Sequence, residues 1–192
     1  MQLNYWKNSW PLRVDWCPCD VHFLEYVRAH EVRDKVIFHF GTGEHHILGR
    51  SNLERDGPNE IFAITASRQE YERYIELVID NPVAAKYYKV VFADIYTLTP
   101  RIIPSFDLVT LFHLCEFYDE EQSAYAQLDD SSLLALFFSK LNPGGRVLFY
   151  KGSFAFAKAQ IIIEDFVNRG KMIKVDEHKT LFVYGRVQDA TV

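Results

Sequence analysis

The sequence predicts an α/β domain: a doubly wound, mostly parallel sheet of about seven strands that ends in an antiparallel hairpin. Three observations carry this expectation. The apolar run Val36-Ile37-Phe38-His39-Phe40 enters Gly41-Thr42-Gly43, a strand of buried type meeting a glycine turn. Beyond it, short apolar runs alternate with stretches of helical periodicity, as βαβ units require. The last two runs are separated by too few residues for a crossover, so they must pair antiparallel.

The elements follow in order. The 192 residues fit one domain, with an aromatic arm over 1–19 and a core over 20–188. The arm carries Tyr5, Trp6, Trp10 and Trp16 and reads as packed on the domain, with a flap over a crevice as the second reading. Asp20 is placed to cap a helix to about His30, with Phe23, Leu24 and Val27 as its apolar stripe. The helix expected after Gly43 is weakened by Gly49. Asp56-Gly57-Pro58-Asn59 turns the chain into a second strand, Ile61 to Ile64. Ser67-Arg68-Gln69-Glu70 reads as a capping box for a helix with Tyr71, Tyr74, Ile75, Val78 and Ile79 on one face, stopped by Asn81-Pro82.

Tyr88 to Phe92 and Phe106 to Leu111 are the third and fourth strands. A helix over Asp129 to Leu141 leads to Asn142-Pro143-Gly144-Gly145, read as a tight turn into the fifth strand, Arg146 to Tyr150. A helix from about Phe156 to Arg169 follows. The closing strands are expected at about Met172–Val175 and Thr180–Val187, parted by Asp176-Glu177-His178-Lys179.

Composition narrows the partners. Net charge is −5 with no long basic run, which argues against nucleic acid or an anionic membrane surface as the main partner. No stretch approaches the roughly 20 apolar residues of a membrane span. The acidic run Asp119-Glu120-Glu121 reads as a solvated loop. Three sparse cysteines, Cys17, Cys19 and Cys115, suit a reducing compartment, and Met1 to Trp10 lacks the apolar run of a signal peptide; a cytoplasmic location is the expectation.

Five segments, in this order, resemble the class I S-adenosylmethionine-dependent methyltransferases, whose Rossmann-like sheet also closes with a hairpin. Gly41-Thr42-Gly43 is similar to the start of that family's glycine motif, and Ala93-Asp94 to the motif whose carboxylate reads the adenine amino group. Ser105-Phe106-Asp107-Leu108-Val109 resembles the fourth-strand signature, Leu114-Cys115-Glu116-Phe117 the Leu-Glu-His segment, and Leu141 to Leu148 the Leu-Lys-Pro-Gly-Gly turn. The resemblance implies S-adenosylmethionine as cofactor, held at His39, Gly41, Gly43, Thr65, Asp94 and Ile95. Three of the family's positions differ here. His39 stands where an acid precedes the first glycine, His45 stands at the third glycine, and Thr65 stands where an acid grips the ribose.

His113, at the expected tip of strand four, is the best candidate for a catalytic base, with Glu116 in the same loop; a hydrogen-bonded rim histidine is the plainer reading. His39, His45, His46 and His113 are expected to gather at one rim, but His45 and His46 read as solvating a weak helix start, and no metal is assigned. Cys17-Pro18-Cys19 with His22 lacks a second ligand pair at zinc spacing. A dinucleotide dehydrogenase would need glycine at His46. Two functions follow from the resemblance: a methyltransferase acting on a small molecule, or a methyltransferase-fold protein without methyl transfer that serves as a binding or regulatory partner of another protein.

Overall fold

In the computed structural model, which describes residues 3–119 and 124–187, the chain alternates strand and helix almost throughout. In order, the elements are α1 (Cys19–Ala29), β1 (Val36–Phe40), α2 (Ile47–Leu53), β2 (Glu60–Thr65), α3 (Arg68–Asp80), α4 (Ala84–Tyr87) and β3 (Tyr88–Phe92). After a 3₁₀ turn at Ile95–Thr97 come β4 (Phe106–Thr110), α5 (Asp130–Ser139), β5 (Leu141–Tyr150), α6 (Phe156–Asn168), β6 (Met172–His178) and β7 (Leu181–Arg186). All seven strands form one sheet in the order β3-β2-β1-β4-β5-β7-β6. The first five are mutually parallel, and β7 joins β5 and β6 antiparallel, as the sequence predicts.

Because side chains alternate along a strand, each parallel strand feeds two cores. Phe38, Phe106, Val109 and Phe137 pack on one face, where α5 and α6 lie. Ile37, Ala63, Leu108, Phe23 and Leu77 pack on the other, under α1 and α3. The same alternation sends His39 and its register partner Thr110 to the α1 face.

Four local expectations change. The helix at Cys19 starts from Pro18 with no side-chain cap, and Asp20 turns inward instead of capping. Asn142-Pro143-Gly144-Gly145 is a bulge inside β5 and not a turn before it: Phe106 pairs with Leu141 and Leu108 with Arg146, so the extra residues loop out. Gly144 there has φ +74, and a Cβ on Gly145 would approach Asn142 O to 2.8 Å. At the sheet edge, β6 continues through Asp176-Glu177-His178 and the hairpin turns at Lys179-Thr180. Charged residues are at home on an edge strand, which is why this polar run imitated a loop. Lastly, Ser67 does accept from the Glu70 backbone N–H at 3.4 Å, but the Glu70 side chain does not return to close a capping box.

Glu120 and Glu121 of the acidic run lie outside the described residues. No helix among the described residues is long and apolar enough to cross a membrane.

Candidate active site

Strand order reverses between β1 and β4, so the connections leaving their carboxyl ends diverge and open a crevice. A cleft lies there, enclosing about 1080 Å³ of non-atom space including its open mouth. Of the residues expected to hold a cofactor, Gly41, Gly43, Thr65, Asp94 and Ile95 line it, and so do His113 and Glu116. Gly41 (φ +84) and Gly43 (φ +54) take conformations that a Cβ would strain.

His39 does not line the cleft. It is 1% exposed and lies beneath it on the α1 side. Thr110 Oγ1 donates to Phe38 O at 3.4 Å, so it accepts from His39 Nδ1 at 2.8 Å, and that tautomer leaves Nε2 bare. Nε2 has no hydrogen-bond partner and faces Asp20 Oδ1 at 3.7 Å. Burial pushes the His39 imidazole down to about 3 and the Asp20 carboxyl up to about 7, so both resist charging.

The other histidines divide. His46 is fully buried and does not solvate a helix start. Its Nε2 must donate to Glu70 O (2.8 Å), so its Nδ1 accepts from the Tyr88 hydroxyl (2.9 Å). His45 folds its ring over Gly43 and lines the cleft, narrowing it as the missing third glycine implies.

A carboxylate does stand beside Thr65, and it comes from α3. Glu70, 2% exposed, turns its carboxylate to the end of β2. Its Oε2 accepts from Thr65 Oγ1 (2.6 Å) and Thr42 Oγ1 (3.1 Å), and its Oε1 from Trp10 N (3.3 Å). Burial raises its pKa, and the two threonine hydroxyls oppose that rise. At the end of β3, Asp94 Oδ1 accepts from Tyr96 N (3.0 Å) and Asn4 Nδ2 (3.4 Å), and Oδ2 accepts from the Tyr125 hydroxyl.

The aromatic arm packs on the domain and also lines the cleft. Trp6 N donates to Ala66 O (2.8 Å) and Trp6 O accepts from Arg68 N (3.1 Å), so the arm runs parallel past the end of β2. Trp6 and Trp10 meet Phe117 edge-on, with ring centroids 6.1 and 6.2 Å away, and close the cleft from above.

His113 and Glu116 do come together: Nδ1 lies 3.1 Å from Glu116 Oε1, and Ser153 Oγ donates to that oxygen at 2.5 Å. Burial works against the His113 charge, but Cys17 and the Glu116 carboxylate beside the ring outweigh it and raise the imidazole to about 10. His113 and Glu116 thus meet at the tip of β4, facing the cleft, where the sequence places its base candidate. The sequence reading missed the partner that His113 faces. Cys19 Sγ lies 3.9 Å from His113 Nε2 and 3.3 Å from Cys17 Sγ. Cys19 and His113 are 94 positions apart, so no spacing rule could have joined them. His22 points elsewhere, to Thr180 Oγ1 at 2.7 Å.

No family model matches the chain, and no curated protein matches it in sequence. Solved structures do match in fold. TrmN from Thermus thermophilus is 15% identical with a TM-score of 0.56; the match covers 85% of this chain but only 47% of TrmN, so the chain spans about half of that protein. Magnesium protoporphyrin IX methyltransferase from Synechocystis PCC 6803, solved with S-adenosylmethionine bound, is 10% identical with a TM-score of 0.60, over 90% of this chain and 79% of that one. The [4+2]-cyclase SpnF is 16% identical with a TM-score of 0.59, over 92% of this chain and 64% of that one. One architecture thus carries methyltransferases and a cyclase. Five parallel strands, a closing antiparallel pair and a crevice at the β1/β4 reversal give this chain the fold of the class I S-adenosylmethionine-dependent methyltransferases.

Proposed function

We propose that the chain binds S-adenosylmethionine in this cleft and transfers its methyl group to a small molecule. The observation that carries the reading is the pair of buried carboxylates, Glu70 and Asp94, set at the ends of adjacent strands in one cleft with Gly41 and Gly43. Glu70 meets the need that Thr65 leaves open: an anionic acceptor for vicinal hydroxyls, held in place by two threonine donors. Asp94 is fixed by a backbone N–H, and in this reading its carboxylate accepts from the exocyclic amine of the adenine. The cofactor supplies an electrophilic methyl on a sulfonium. The chain supplies alignment and exclusion of water, through the Gly41–Gly43 turn below and Trp6, Trp10 and Phe117 above. The aromatic roof and the net charge of −5 suit a small acceptor with an apolar body better than a nucleic acid.

Calorimetric titration with S-adenosylmethionine and S-adenosylhomocysteine tests the reading. Binding of both is expected, and Asp94→Ala weakens each by at least about tenfold, the loss of one charged hydrogen bond. No heat at millimolar ligand overturns it and leaves the chain as a methyltransferase-fold binding partner. Such a role would fit how fully the arm and Tyr125 already occupy Asp94.

A further inference from the structure

We propose that Cys17, Cys19 and His113 form a zinc site in the cleft, with one coordination position open to it. The three donor atoms lie within 4.8 Å of one another. A tetrahedral ion with metal–sulfur bonds of about 2.3 Å and a metal–nitrogen bond of about 2.05 Å needs sulfurs about 3.8 Å apart and sulfur and nitrogen about 3.6 Å apart. The Cys17 and Cys19 sulfurs are 3.3 Å apart and Cys19 Sγ and His113 Nε2 are 3.9 Å apart, within about 0.5 Å of those edges. All three residues line the cleft, and Cys17 and His113 are half-buried, so the fourth position faces space that water or a ligand can enter.

The surroundings are those of a metal ligand and not of a stray histidine. Glu116 faces His113 Nδ1 at 3.1 Å and is itself held by Ser153, so Nε2 is turned to the sulfurs. Metal-bound histidines commonly carry such a carboxylate on the far nitrogen, where it fixes the ring and raises its basicity. Beneath the sulfurs, Asp20 Oδ1 accepts from Cys19 Sγ at 3.6 Å and so orients that sulfur. Each ligand is set by a different part of the fold: Cys17 ends the arm, Cys19 opens α1, and His113 follows β4. Two thiolates and an imidazole are soft to borderline donors, which select zinc over magnesium or calcium. The two cysteines are not joined, since a disulfide needs sulfurs about 2.05 Å apart.

The site is independent of the proposed cofactor, because none of its ligands is among the residues assigned to S-adenosylmethionine. The full chain, stripped with chelator under reducing conditions, is titrated with zinc against a chromophoric chelator and separately with cobalt(II). One zinc per chain is expected, and cobalt gives a thiolate-to-metal charge-transfer band with tetrahedral ligand-field bands. Cys17→Ser and His113→Gln weaken zinc more than about 100-fold. Glu116→Ala, outside the ligand set, weakens it about 10- to 100-fold with partial rescue by Glu116→Gln. Cys115→Ser leaves affinity and spectrum unchanged, and circular dichroism confirms that each variant is folded. Cobalt without a sulfur band, zinc affinity unmoved by Cys17→Ser and His113→Gln, or a Cys17–Cys19 disulfide in place of metal overturns the proposal. Titration with S-adenosylmethionine on the same samples separates the two readings: zinc without cofactor sinks only the methyltransferase, and cofactor without zinc sinks only the metal site.

Discussion

Replacing Glu70 with alanine tests both the stability and the binding assigned to this side chain. Glu70 receives three hydrogen bonds in a buried setting, from Thr65, Thr42 and the Trp10 backbone. Each bond contributes about 1 kcal/mol net, so Glu70→Ala costs about 3 kcal/mol. Thr65 Oγ1 still accepts from Ser67 N at 3.0 Å, so its acceptor side is not lost and the cost does not rise much further. Glu70→Gln is the sharper variant. Its amide oxygen can take over the two threonine donors, but its NH₂ then confronts the Trp10 N–H. One bond of three is exchanged for a donor–donor contact, about 1 to 2 kcal/mol. Urea denaturation at pH 7 reads both values. Calorimetry reads the second consequence, an S-adenosylmethionine affinity lowered at least about tenfold in Glu70→Ala. A denaturation midpoint in Glu70→Ala equal to that of the wild type refutes the bonding assigned to this side chain. Unchanged cofactor affinity refutes its role at the ribose.

Two further outcomes follow from packing and charge. Gly49 lies in α2, and a Cβ there would overlap the ring of the fully buried Tyr88. The helix-propensity gain of Gly49→Ala, about 1 kcal/mol, is therefore outweighed by overpacking of about 1–3 kcal/mol, and thermal unfolding shifts downward. His46 is pushed by burial from 6.5 to about 4. Its folded pKa lies below its unfolded one, so its stabilisation is complete above pH 6.5 and is lost as pH falls towards 4, by roughly 3 kcal/mol. Urea midpoints of wild type and His46→Asn should converge over that window; parallel pH profiles would contradict the assignment.

The order and type of nearly every element were legible because Gly, Pro and Asn punctuate apolar runs of strand length. What failed to show locally was whatever tertiary contact decides. Asp176-Glu177-His178 looks like a loop until β7 supplies a partner. Ser67 to Glu70 spells a capping box, yet two threonines outside the helix take the glutamate. His46 is polar in sequence but has both ring nitrogens engaged in the core. The glycines and Asp94 could be placed from their motifs. The cysteine–histidine cluster could not, because it exists only once the arm has folded back over the tip of β4.

That return of the arm sets up a thermodynamic linkage. Asn4 and Trp10 use acceptor positions on Asp94 and Glu70, the two carboxylates that face the cleft. A ligand that draws on those same lone pairs exchanges arm hydrogen bonds for its own, and measured affinity is the difference between the two. By reciprocity, a variant that loosens the arm without touching the carboxylates tightens such a ligand by the free energy the arm gives up.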